Sequence, residues 1–299
     1  MTDLAPGIVA SLVTPFTAVD EVDGERLRAI VRFALAAGVD GLMCTALAGE
    51  GNMLTGRELC TVVGVVLDEA AGRVPLVVGV SGRSLADGIE AIRFAEREGA
   101  AALLVGARPY ADCSDSPEDQ VVRLAHESRV PVMLQEAPGY VGRAFGVAAI
   151  ERILTRAETV RHLKIEGGPS AVRRAMVSLG DRVGVWGGDG GMYLLDCLRA
   201  GAAGVMPGVE IIDLLVRAYR TERSGDRPRA DALMARVLPV IVLLMQSLAD
   251  YVAGAKAILA ARGLLAERRA RLEGAAFDPV QRRILADQFA ALADLLASA

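Results

Sequence analysis

The chain has 299 residues, 53% of them hydrophobic and 23% charged, which allows a sizeable core in one large α/β domain or two small ones and excludes a disordered chain. A formal charge of −4 and a pI near 5.4 leave no electrostatic footprint for nucleic acid or an anionic membrane surface. Cys44, Cys60, Cys113 and Cys197 are scattered and His126 and His162 lie far apart, so neither a metal site nor a disulfide framework is implied. The first residues lack the basic and apolar regions of a secretory signal, and the longest apolar run, Val237 to Met245, falls far short of the roughly 20 residues of a membrane helix. A soluble, reduced, cytoplasmic protein is the expectation.

Eight short β-rich runs recur along the chain: Ile8–Val13, Gly41–Ala46, Leu76–Ser81, Ala101–Gly106, Pro131–Glu136, Val160–Glu166, Val183–Gly188 and Gly204–Val209. None alternates cleanly between apolar and polar residues, as expected of parallel strands covered on both faces. Helical stretches separate them, with readable starts at Asp23, at the capping box Thr55-Gly56-Arg57-Glu58 and at Ser116-Pro117. Gly38, Gly72, Gly99 and Gly180 sit where helices should stop. Strand then helix, eight times over, predicts a (β/α)₈ TIM barrel. An open doubly wound sheet is the alternative, but no Gly-x-Gly-x-x-Gly turn follows the first strand. Thr221–Arg229 reads as a linker, and beyond it only helices are predicted, over Arg229–Met245, Ser247–Arg262 and Asp278–Ala297. The division is a barrel over residues 1–225 and a C-terminal helical appendage over 226–299.

Two of the 33 basic residues are lysines, Lys164 and Lys256, and the rest are arginines. Lys256 falls in the appendage and reads as solvated or interfacial. Lys164 lies near the end of the sixth strand. Burial favours a neutral amine, and a neutral amine attacks a ketone to form a Schiff base, which arginine cannot do. The plainer reading is a strand-end lysine paired with a carboxylate. Active sites of such barrels lie at the C-terminal ends of the strands. That rule selects Thr14, Gly49-Glu50, Tyr110, Gln135 and Glu136, Lys164 and Glu166, the run Gly187–Gly191 with Gly188, and Met206-Pro207-Gly208. Strand alternation puts Glu166 on the face of Lys164, about 6.5–7 Å along the strand. There it serves either as a proton shuttle or as the lysine's structural partner.

Thr14-Pro15-Phe16, Gly49-Glu50, Pro109-Tyr110, Gln135-Glu136-Ala137-Pro138, the strand-six lysine and Gly201-Ala202-Ala203-Gly204-Val205-Met206 occur in an order that resembles the dihydrodipicolinate synthase and N-acetylneuraminate lyase family of Schiff-base aldolases and dehydratases. The resemblance implies that Lys164 is the Schiff-base lysine and that Gly49-Glu50 marks a loop cradling the carboxylate of a 2-oxo acid. It also implies that no metal or organic cofactor is needed and that the chain assembles as a homotetramer.

The departures bear on the substrate. Where the synthases carry Gly-Thr-Thr-Gly-Glu, this chain has Ala46-Leu47-Ala48-Gly49-Glu50, so the two hydroxyls are gone. Gln135 replaces the relay tyrosine of strand five, and an amide does not exchange protons at neutral pH. Tyr140 stands where the synthase has an arginine for a second carboxylate. A branch of the family, the 2-keto-3-deoxy-L-arabonate dehydratases, is more similar, through Gln135-Glu136-Ala137-Pro138 and Gly187-Gly188-Asp189-Gly190-Gly191-Met192-Tyr193. The glycine run serves either close helix–strand packing or an extended sugar acid at the barrel mouth. The expected activity is dehydration of a 2-keto-3-deoxy sugar acid, with Lys164, Glu166, Gln135 and Tyr140 as catalytic candidates. Gly49, Glu50, Thr14, Tyr110, Gly188 and Met206 are the substrate-binding candidates. A pyruvate-releasing aldolase, a condensing synthase and a non-catalytic metabolite-binding barrel are the alternatives.

Overall fold

Each of the eight apolar runs becomes a strand in the computed structural model, which describes residues 4–80, 84–106, 110 and 113–297. The strands are β1 (Val9–Ser11), β2 (Gly41–Cys44), β3 (Leu76–Gly79), β4 (Ala102–Gly106), β5 (Val132–Glu136), β6 (Val160–Ile165), β7 (Gly184–Gly187) and β8 (Gly204–Val205). They are shorter than the runs that predict them, because each run continues into its loop; Ser81 and Pro109 lie outside the described residues. All pair in parallel and in sequence order. The sheet closes where Val205 N donates to Gly7 O at 3.0 Å and Ser11 N to Pro207 O at 2.8 Å, with a parallel bridge between Ser11 and Gly208. The fold is a (β/α)₈ barrel with C-terminal helices.

The helices are α1 (Gly24–Ala37), α2 (Gly56–Ala70), α3 (Leu85–Glu98), α4 (Pro117–Glu127), the short α5 (Pro138–Val141), α6 (Gly146–Arg156), α7 (Gly168–Leu179), α8 (Leu194–Arg199), α9 (Ile212–Arg223), α10 (Arg227–Leu244), α11 (Leu248–Ala261), α12 (Pro279–Ala290) and α13 (Ala293–Ala297). Their starts follow the sequence signals. Asp23 accepts from Arg26 N, Thr55 and Glu58 form a capping box, and Ser116 accepts from Asp119 N ahead of Pro117. Gly38 and Gly99 close α1 and α3 in the left-handed conformation, with φ of 84° and 97°. At α2 the cap is Ala71, also left-handed at φ 48°, and Gly72 follows it. The expected linker shrinks to residues 224–226, because α9 runs on to Arg223 and Asp226 caps α10.

Alternation sorts the barrel side chains into two layers. Val9, Met43, Val77, Ala102, Leu104, Met133, Trp186 and Met206 fill the interior. The alternate positions, such as Leu42, Val78, Leu103, Leu134, Leu163, Ile165 and Val185, pack under the helices. That outer core continues without a break into Val237, Val240 and Ile241 of α10 and Val252, Ile258 and Leu259 of α11. No helix among the described residues is long and apolar enough to cross a membrane.

Candidate active site

Register places the site. Gln135 pairs with Lys164, so these two side chains stand together at the upper end of the barrel interior. Trp186 seals the layer below at 0% exposure, and Lys164 is left 6% exposed. β6 ends at Ile165, and Glu166 N then donates to Glu136 O at 2.9 Å, which keeps the next carboxylate on the lysine's face. Lys164 Nζ and Glu166 Oε1 form a hydrogen-bonded ion pair. The same oxygen accepts from Gln135 Nε2 at 3.2 Å, and Oε2 accepts from the backbone N–H of Asp189.

Tyr140, on the one-turn α5, stands across from this group. Its hydroxyl donates to Asp189 Oδ1 at 3.4 Å, while Gly168 N donates to Asp189 Oδ2 at 3.0 Å. Burial, reinforced by the charge on Glu166, pushes the Asp189 carboxyl up to about 6 against the pull of the Gly168 and Gly167 N–H groups. Burial and the two carboxylates also hold the Tyr140 phenol above its ordinary value, so it is a neutral hydroxyl donor at working pH. Lys164, Glu166, Gln135 and Tyr140 therefore line one open cavity at the barrel mouth. Ser11, Gly208 and Tyr251 add to its wall, and the remaining lining is largely apolar, with Ala46, Leu47, Ala48, Met206, Met245 and Leu248.

The binding candidates divide. Met206 lines the cavity. Gly188 is not on the wall and bears on the cavity through what it lacks, because a Cβ there would collide with the Glu166 carboxylate. Thr14 is buried and donates to Gly49 O at 2.6 Å, which ties the loop after β2 to the end of β1. Within that loop Gly49 N and Gly51 N donate to Ala46 O and Glu50 N to Leu47 O, so the turn consumes these donors and leaves those of Leu47 and Ala48 unused.

Glu50 corrects the expectation of a substrate contact. It is 1% exposed, and its carboxylate is taken up by Lys256 Nζ at 2.5 Å, Arg271 N at 2.6 Å and Leu272 N at 2.8 Å. Lys256 is corrected with it. The side chain is fully buried in α11, where Nζ lies 4.5 Å from the centroid of the Phe16 ring and donates to Arg269 O at 2.7 Å. Arg271 covers the same ring at 4.2 Å. The appendage thus clamps the loop that forms one wall of the cavity. Tyr110 is also displaced from its expected place: its ring lies against Gly88 of α3, its N–H donates to Gln120 of α4 at 2.8 Å, and it is not on the cavity wall.

Sequence reasoning missed Asp189, Ser11, Tyr251, Met245 and Leu248. Asp189 stood in the glycine run and was hidden by the attention its neighbours drew. Ser11 offers no signal beyond being the one polar residue of β1. The other three come from α11 and the turn before it, and nothing local says which barrel face a distant helix will cover.

A model of the dihydrodipicolinate synthetase family matches residues 5–282. A 4-hydroxy-tetrahydrodipicolinate synthase of Sorangium cellulosum (strain So ce56) is 31% identical over 262 residues, 86% of each chain. An L-2-keto-3-deoxyarabonate dehydratase of Azospirillum brasilense is 29% identical over 273 residues, 89% of this chain and 87% of its own. Among solved structures, a putative dihydrodipicolinate synthetase from Pseudomonas aeruginosa superposes with a TM-score of 0.86 at 28% identity, covering 96% of this chain and 99% of that one. Enzymes of this family are lyases that react through a lysine Schiff base with a small 2-oxo acid and use no external cofactor. The chain belongs to the dihydrodipicolinate synthetase family.

Proposed function

We propose that Lys164 Nζ condenses with the ketone of a 2-keto-3-deoxy sugar acid and that the enzyme eliminates the C4 hydroxyl as water. The observation that carries this reading is the Lys164–Glu166 pair, set on the apolar floor of the cavity with Gln135 and Asp189 N fixing the carboxylate. Glu166 relieves the lysine of its proton, freeing the amine for attack, and returns that proton to the carbinolamine hydroxyl, which leaves as water and restores the carboxylate. Once the iminium forms, the same carboxylate lies beside C3 and removes its proton to give the enamine. The unused N–H groups of Leu47 and Ala48 are the donors offered to the substrate carboxylate in place of the lost threonine hydroxyls. Tyr140, held by Asp189, donates to a substrate oxygen.

A condensing synthase fits less well, because Leu47, Ala48, Gln135 and Tyr140 replace the hydroxyls, the relay tyrosine and the arginine expected of one. Resemblance to the Azospirillum dehydratase supports the sugar-acid reading. We further propose a homotetramer, consistent with the exposed apolar side chains Val242 on α10 and Val280 and Ile284 on α12. A panel of 2-keto-3-deoxy acids assayed for semialdehyde and for pyruvate tests the activity. Semialdehyde without pyruvate is expected. Pyruvate release would make the enzyme an aldolase, and condensation of pyruvate with aspartate semialdehyde at an ordinary rate would make it a synthase.

A further inference from the structure

A second hydrogen-bonded acid lies behind the cavity wall, reached through Tyr251 and unused by the steps above. Glu210, just beyond β8, is 1% exposed, and Tyr251 of α11 is 5% exposed. The Tyr251 hydroxyl donates to Glu210 Oε2 at 3.0 Å. That hydroxyl is the one side-chain group the carboxyl meets; its other partner is its own backbone N–H. Gly208 connects the pair to the cavity. It lines the same cavity as Lys164 and Glu166, and a Cβ on it would collide with the Tyr251 hydroxyl and with both Glu210 oxygens. The absent side chain therefore opens the dyad toward the space where substrate must sit. A buried carboxyl with only neutral partners costs stability unless it is protonated. Among the described residues no ion pair holds it: Arg262, the cation that acts on it, is bound to Asp213 at 2.9 Å.

Elimination of a hydroxyl needs a proton delivered to the departing oxygen. Glu166, bound by Gln135 and by Asp189 N beside Lys164, serves C3, and a second acid on the wall is free to serve the C4 oxygen. We propose that Tyr251, backed by Glu210, is the general acid that protonates the departing C4 hydroxyl. This inference rests on the dehydratase reading given above.

The step balances without any oxidant or reductant. The enamine pair shifts from C2–C3 to C3–C4 as the C4–O bond breaks, and the iminium is restored. The departing oxygen takes the Tyr251 proton and leaves as water. The phenolic oxygen takes the proton of the Glu210 carboxylic acid, which becomes the carboxylate. The proton that Glu166 took from C3 restores Glu210 through solvent before the next cycle. Burial pushes Glu210 up to about 7, so that both of its forms are populated near neutral pH. Tyr251, held well above its ordinary value by burial, passes the proton on without resting as phenolate.

The test compares the full-length enzyme with its Tyr251→Phe and Glu210→Gln variants on a 4-hydroxy substrate and on its 4-fluoro analogue. Fluoride departs without protonation, so it separates acid catalysis from structural damage. Both variants are expected to lose about 10²–10⁴-fold in kcat on the hydroxy substrate, with KM little changed. They should handle the fluoro substrate near the wild-type rate and still trap the imine at Lys164. Equal losses on both substrates, or no loss on either, would overturn the role of the dyad while leaving the dehydratase reading intact. Failure of the wild type to dehydrate any 2-keto-3-deoxy acid would overturn both.

Discussion

Glu166 occupies the volume that any side chain at Gly188 would need. The Glu166 carboxylate is placed by β6 and kept in place by an empty position just past β7. Gly188→Ala should therefore displace Glu166 from Lys164 without touching either residue. It is expected to resemble Glu166→Gln, which should lower turnover by about 10²–10⁴-fold. Steady-state kinetics with imine trapping checks this. Trapping should persist in both variants, and Tyr140→Phe should have the smaller effect. Normal turnover in Glu166→Gln with failure in Tyr140→Phe would transfer the relay to the tyrosine.

Lys164→Arg keeps a cation beside Glu166 but cannot form an imine. Borohydride reduction in the presence of pyruvate, followed by peptide mass mapping, should label Lys164 in the natural chain and nothing in the variant. An adduct on Lys256 would contradict the site. The depth of Lys256, fully buried against Phe16 and Glu50, makes it inaccessible.

The Glu50–Lys256 pair is also a stability element. Removing one member strands the other charge in the core, which costs about 3–5 kcal/mol. Lys256→Met and Glu50→Gln should each lower the urea midpoint sharply. The double variant should recover part of the loss, because it leaves no unpaired charge. Strictly additive losses would show that the two groups do not interact.

Stability should vary with pH in a direction set by the buried acids. In the unfolded chain Glu210 and Asp189 ionise near 4.5 and 3.8, whereas burial holds them up to about 7 and about 6 in the native state. Between those values the native state binds more protons, so stability falls as pH rises through the window. Glu58 acts in the opposite sense: Arg271 draws its carboxyl down from 4.5 to about 2, so its contribution is lost as pH falls below 4.5. Thermal unfolding across this range should show the decline toward neutral pH, and Glu210→Gln should flatten it.

Light scattering should give a multiple of the 31.3 kDa chain, with four copies expected. Val280→Glu or Ile284→Glu, at exposed apolar positions on α12, should weaken the assembly more than the fold. A monomer at micromolar concentration would contradict the proposed assembly.

Much of the barrel was legible because its signals are local. Apolar runs such as Leu76 to Gly79 have one use in a chain of this length, and Thr55 with Glu58 caps a helix wherever it stands. The adjacency of Lys164, Glu166 and Gln135 was legible for the same reason, since strand period and strand order fix it. Tyr140 was named, but its meeting with Asp189 depends on where α5 turns back over the barrel. Lys256 was read as solvated or interfacial because a charge that finds its partner at long range looks, in sequence, like any surface residue, and Glu50 was read with its loop as a substrate contact because its partner lies 206 residues on. Tyr251 was invisible on similar grounds: a tyrosine among Val252, Ala253 and Gly254 reads as core until Glu210 is brought against it.

The clamp between Glu50 and Lys256 joins positions 206 residues apart. A chain emerging from the ribosome completes all eight strands, including Lys164, before Lys256 exists. Until then the Glu50 carboxylate lacks the counter-charge it has in the finished chain, and the loop from Ala46 to Gly49 has only its tie to Thr14. The far wall of the cavity, with Met245, Leu248 and Tyr251, is missing over the same interval. Synthesis therefore delivers Lys164 early and its enclosure late: until α11 docks, the side of the cavity that Met245, Leu248 and Tyr251 close in the finished chain stands open.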